Sequence, residues 1–285
     1  LAAFAALFTR IVLILAELIF ILLSYLWYKT ENKYVGKVEK VITKYPYEAI
    51  VLSMSALYTI YITAASFLRY DNYYTGRFDL GNMVQTVWNT LHGNFFMMTN
   101  PDGIEQVSRL AFHADFILIL LAPFYALWQD PRMLLLIQTI VVSFGALFIY
   151  LIAKIVLKNN YIGVVLAFAY LINPSLQRAN LYDFHAVVLA TTFLLAAFYF
   201  YLKRKYWHFI IFAILAAICK EQIWLIIALF GPLIALHHRK WLWGFGIFAV
   251  STGMFFFLLE YAIPNSLGAN HFALEYYSGF GSLHC

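Results

Sequence analysis

Of 285 residues, 64% are hydrophobic and only 12% charged, about half the roughly 25% charged share of a soluble domain. This excludes a soluble globular domain, and the net charge of +5 does not signal a nucleic-acid partner, because the basic residues fall in short gaps between apolar runs. The composition predicts an all-α, polytopic integral membrane protein with about eight transmembrane helices, each drawing on about 20 apolar residues.

The first apolar run, 11–28, has neither a basic leader nor a small-residue cleavage site, so it reads as a retained span rather than a signal peptide. A chain that begins at Leu1 without Met and stops at Cys285 in a polar stretch is expected to be a piece of a longer one. Cys219 and Cys285 show neither disulfide nor zinc spacing. Lys29, Lys33, Lys37, Lys40 and Lys44 fill the gap after the first run. Lys154 and Lys158, then Lys203, Arg204 and Lys205, then Arg239 and Lys240 mark three more, and the four gaps hold twelve of the nineteen Lys and Arg. Basic gaps are retained on the cytoplasmic side. Residues 1–48 are therefore expected to form an N-terminal span with a cytoplasmic basic linker, and 49–285 a transmembrane domain.

Between Lys44 and Lys154 the chain must then cross the membrane an even number of times, yet three apolar segments lie there: 49–68, 112–128 and 133–156. Segment 112–128 carries His113, Asp115 and Pro123, and is expected to lie in the outer interface or to re-enter. The other two bracket an external segment, 69–132. Within it Leu80, Met83, Val84, Val87, Trp88 and Leu91 recur at helical spacing, the pattern of an amphipathic helix on a membrane surface, with Gly93 as its terminator. Segment 161–174, closed by Asn173 and Pro174, is short and also stops outside. Two basic gaps bracket 206–236, so this run is expected to be a helical hairpin whose external tip carries Lys220 and Glu221. An arm of about 14 residues reaches only about 21 Å into a core of about 30 Å, which sinks the tip below the outer surface.

The external side thus collects Asp79, His113, Asp115, Arg178, Asp183, His185, Lys220 and Glu221. Titratable residues at membrane depth are costly and mark functional sites by default. Each also has a structural reading. Asp79 and Asp183 precede helices and suit N-caps, His113 suits a hydrogen-bonded structural histidine, and Lys220 and Glu221 suit a local ion pair. His237 and His238 suit a solvated cytoplasmic turn. Asp183 and His185, two apart, admit a divalent metal, although two ligands do not define a site. No Walker A loop, dinucleotide glycine motif or nucleophile elbow occurs, so no soluble nucleotide is expected.

Four stretches, "RFDLGNMVQTVWNTLHGNFF" (77–96), "FHADFILILLAPFYALW" (112–128), "NPSLQRANLYDFHAV" (173–187) and "ICKEQ" (218–222), resemble a prokaryotic family of predicted membrane proteins of unknown function. That family is distantly similar to the GT-C superfamily of integral membrane glycosyltransferases. The resemblance implies transfer of a sugar from a polyprenyl-phosphate donor at the external face of the cell membrane. By motif position Asp79 is the essential first-loop acid, His113 opens the interfacial helix, and Lys220 is the cation at the hairpin tip. "HAD" here departs from the prolines usual in relatives, which leaves the role of Asp115 open. The catalytic candidates are then Asp79, His113, Asp183 and His185, and the substrate-binding candidates Lys220, Glu221, Arg178 and Asp115. Inverting transfer from an activated lipid phosphate needs a base for the acceptor hydroxyl and a cation for the departing phosphate. Two other readings stay open: a transporter or channel, for which Gly231–Pro232 and Asn173–Pro174 are the helix breaks, and a non-catalytic membrane scaffold.

Overall fold

The computed structural model describes residues 42–101 and 103–267. The span expected over 11–28 and the lysines up to Lys40 lie outside them. Helix α1 (Pro46–Asp71) opens with Pro46 in its first turn, where proline's missing N–H costs nothing. A π-helical turn (Arg77–Gly81) leads into α2 (Asn82–Leu91), and a two-stranded antiparallel ribbon follows, β1 (Met97–Thr99) and β2 (Gln106–Ser108). Next come α3 (Ile117–Tyr125), α4 (Arg132–Val156), α5 (Asn160–Leu171), α6 (Pro174–Tyr182), α7 (Ala186–Leu202) and α8 (Tyr206–Ala217). The hairpin's second arm is α9 (Ile223–Ala228) and α10 (Phe230–His238). Helix α11 (Trp241–Phe256) then runs through a second π-helical turn into α12 (Ile263–Leu267). Three helices, Pro46–Asp71, Arg132–Val156 and Trp241–Ser266, are long and apolar enough to cross a membrane, and four shorter apolar helices accompany them. The described chain is an all-α membrane protein with one small ribbon in its longest loop.

The long helices are staked at both ends. Lys154 pairs with Glu48 at 2.8 Å where α4 ends and α1 begins, and Arg132 pairs with Asp71 at 3.3 Å where α1 ends and α4 begins, so the two run antiparallel. Helix α5 returns along α4, its Tyr170 hydroxyl donating to the Val142 carbonyl at 3.0 Å. Helix α7 runs with α4, the Thr192 hydroxyl reaching the Val141 carbonyl at 2.7 Å. At the close of the bundle α10 and α11 touch backbone to backbone: a Cβ on Gly231 would stand 2.6 Å from the Gly244 carbonyl oxygen, the close approach that small residues permit between membrane helices. The basic turns at Lys154, at Lys203 to Lys205 and at Arg239 and Lys240 thus share one end of the bundle.

The 206–236 run is a hairpin. Phe209 and Phe230 pack across it at 5.2 Å, and Tyr206 meets His238 at its open end, hydroxyl to Nδ1 3.1 Å. Its arms, Tyr206–Ala217 and Ile223–His238, rise about 18 and 24 Å at 1.5 Å per residue, short of a core of about 30 Å. Segment 112–128 does not cross. Helix α3 has nine residues; its Ile117 N–H donates to the Ile218 carbonyl at the hairpin tip, 2.9 Å away, while Trp128 beyond its far end packs on Phe67 of α1 at 5.9 Å. Both of its ends therefore lie at the end of the bundle opposite the basic turns.

Two local expectations change. His238 is buried rather than solvated, because aromatic rings close the open end of the hairpin: it stacks on Tyr201 at 4.5 Å. Helix α2 forms as expected, with Leu80, Met83 and Val87 buried and Gly93 past its end at φ +93, but Asp79 does not cap it. The cap position belongs to Gly81, without a side-chain bond, because the π-helical turn carries Asp79 one turn further back. The topology predicts that, in a Cys285→Ser background, a cysteine at Asn94 reacts with an impermeant reagent added outside intact cells and one at Lys203 does not. Labelling at Lys203 contradicts the arrangement.

Candidate active-site cavity

A cavity of about 540 Å³ lies against α11 and is apolar; a second, of about 510 Å³, gathers the charged residues. Four segments wall the second: the turn carrying Asp79, the loop carrying Arg109, His113 and Asp115, the start of α7 at His185, and the hairpin tip at Cys219 and Lys220. The first-loop acid, the interfacial histidine, the α7 histidine and the tip lysine expected from sequence therefore face one space.

The acidic side is built on Gly76. Its N–H donates to Asp183 Oδ2 at 2.9 Å. A Cβ at this glycine would stand 3.6 Å from Asp183 Oδ2 and 3.9 Å from Asp79 Oδ2, so the two carboxylates flank it. Asp79 Oδ1 meets His185 Nε2 at 3.2 Å. Asp183 is buried and stands behind this pair; its Oδ1 has no hydrogen-bond partner among the described residues. Burial, and then the negative charge of Asp79, raise the Asp183 carboxyl above its usual range, against the Gly76 N–H and the charges of Arg69 and His185. A carboxyl so placed holds a proton more readily than one in water. Neither aspartate N-caps a helix: Gly81 holds that position on α2 and His185 on α7, while Asp183 stands at the C-cap of α6. Among the described residues no group of three His, Cys, Asp or Glu is disposed to hold a metal ion, so the Asp183 and His185 pair is not extended into a ligand set there.

Opposite stand two ion pairs and a lysine. Arg109 binds Asp115 through both Nε, 3.1 Å, and an amino nitrogen, 2.7 Å, and both residues are buried. This ties off Asp115, whose role the sequence left open. Glu221 bonds across to the loop, not to its neighbour in sequence: Oε1 lies 3.0 Å from His113 Nδ1 and Oε2 accepts the Ala114 N–H at 3.1 Å. Lys220 lines the cavity, half-buried, and makes no ion pair among the described residues. The expected local pair with Glu221 is replaced by the His113 bridge. Cys219 also lines the wall, its Sγ–H donating to the Leu215 carbonyl at 3.1 Å. Arg178 is exposed on α6 and is not among the cavity-lining residues.

One residue that positions the site lies outside the sequence-derived candidates. Gln138, fully buried on α4, donates to the carbonyls of Asn180 at 3.2 Å and Asp183 at 3.0 Å, and accepts the His185 N–H at 2.8 Å. Asp183 and His185 are extended, not helical, and their backbone would otherwise stand unbonded beside the helices. The signal was a glutamine in the apolar run "LLLIQTIVV". Arg109 had no such signal.

Replacing Glu221 by Leu removes its bonds to His113 and to the Ala114 N–H and should cost about 1–3 kcal/mol. Thermal unfolding in detergent checks this, and an unchanged Tm contradicts it.

Residues 69–283 match the family described as Predicted membrane protein (DUF2079). No curated protein and no solved structure matches the chain.

Proposed function

This chain belongs to the DUF2079 family of predicted membrane proteins, and on that footing we propose that it transfers a sugar from a polyprenyl-phosphate donor to an acceptor hydroxyl at the external face of the cell membrane. One observation carries this reading: the Asp79 and His185 pair and Lys220 line a single cavity of about 510 Å³. The acceptor oxygen attacks the anomeric carbon and forms the new glycosidic bond. Its proton passes to the Asp79 carboxylate, which His185 orients. The bond from the anomeric carbon to the phosphate oxygen breaks, and the polyprenyl phosphate leaves with the electron pair, its added charge met by Lys220. His113, held by Glu221, faces the same space. A base and a placed cation are the two contributions that an activated lipid donor requires. The distant GT-C resemblance supports the same reading, as do hairpin arms too short to lift the tip out of the membrane.

A transporter reading has one observation in its favour: the chain unwinds at 183–185 and again at 218–222, both against the cavity, and discontinuous helices commonly frame transport sites. The two readings part in one assay. The full chain, reconstituted in liposomes with a polyprenyl-phosphate sugar and an acceptor alcohol, should release polyprenyl phosphate. Asp79→Asn should lower that release by about 10²–10⁴ and Lys220→Met by about 10²–10³, both with unchanged Tm. Full release from Asp79→Asn contradicts the base assignment, and passage of an intact substrate without bond cleavage favours transport.

A further inference from the structure

At the opposite end of the bundle the two hairpin-flanking turns converge. The Tyr201 hydroxyl lies 2.7 Å from His237 Nδ1 and the Tyr206 hydroxyl 3.1 Å from His238 Nδ1. This brings Lys203, Arg204 and Lys205 beside Arg239 and Lys240, all five exposed. Arg204 and Arg239 each end a helix in the left-handed region, at φ 55 and 54, a position that favours glycine. Cations there forgo that preference. Trp207, Trp241 and Trp243 stand at the same level, Trp207 and Trp243 with rings 6.0 Å apart and Trp243 stacked on Tyr206 at 5.7 Å. Tryptophan at this depth belongs to the headgroup layer.

From this cluster the apolar cleft of about 540 Å³ runs up between the hairpin and α11, from Leu242 and Trp243 to Val250 and Trp224. Its volume falls within the range of ligand pockets. Gly246 lies on its wall, and among the described residues a Cβ added there would meet nothing within 4 Å.

We propose that these two features form one site for an anionic phospholipid, its headgroup on the cations of the two turns and one acyl chain in the cleft. Converging cations supply the charge complement, and the cleft begins where the cations end, as a headgroup and its chain require. A protein segment in the cleft would leave the five cations unanswered, whereas a lipid phosphate answers both features. The site is separate from the transferase cavity and does not depend on the transferase reading.

The full chain in detergent is titrated with phosphatidylglycerol or phosphatidylcholine, and retained lipid is read by native mass spectrometry. Wild type should hold one phosphatidylglycerol in preference to phosphatidylcholine. The double variant Arg204→Gly with Arg239→Gly, whose glycines suit the left-handed backbone, should weaken retention about thirtyfold, the factor that two cations contribute near an anionic surface. Gly246→Leu fills the cleft without touching a charge and should also displace the lipid, while Asp79→Asn should not. Equal retention of both lipids, or retention unchanged in both the double variant and Gly246→Leu, overturns the proposal. A wild type that retains no lipid overturns it too.

Discussion

A membrane-embedded backbone may leave its helix only where something answers the freed N–H and C=O groups. Here two side chains answer: Arg69 donates to the Tyr182 carbonyl at 3.2 Å, and Gln138 does the rest. The buried Gln138 amide holds three backbone groups across 180–185, the carbonyls of Asn180 and Asp183 and the N–H of His185. With those three bonds the chain can stop α6, run extended through Asp183 and His185, and restart as α7. Without the unwound stretch, Asp183 and His185 would be spread around a helical surface, and neither could face the first loop.

The rest of the cavity follows from this anchor by pairing. Asp183 reaches back to the Gly76 N–H, which fixes the turn that carries Asp79, and Asp79 meets His185. On the facing wall Glu221 ties the hairpin tip to the first loop through His113 and Ala114, while Asp115 neutralises Arg109. Among the described residues the charged groups of this site thus have partners, apart from one oxygen of the buried Asp183 and the half-buried Lys220, which the pairing leaves to the cavity. In a water-poor recess a cation in that condition is a strong attractor for an anionic group.

Much of the architecture is legible in charge placement alone. Four basic gaps set a parity that removed 112–128 from the spans and turned 206–236 into a hairpin, and the antiparallel contacts of α1 with α4 and of α8 with α9 and α10 bear this out. Side-chain partnerships were not legible in the same way. Glu221 stands next to Lys220 in sequence yet bonds to His113, and Asp79 bonds to His185, partners separated by 108 and 106 positions. Helical periodicity says which face a residue occupies but not which distant loop meets it. The π-helical turn that takes Asp79 out of the cap position carries no periodic signature either, and Gln138 counted as one polar residue in an apolar run until its three partners were in place.

The dependence of the site on Gln138 is tested most directly by amide hydrogen exchange in Gln138→Leu, a change close in volume that removes all three bonds. Exchange across 183–186 should accelerate markedly while the amides of α4 remain protected, since their own helical bonds are untouched. Unchanged protection of 183–186 in the variant would contradict the account, because the unwound segment would then be held by something other than this amide.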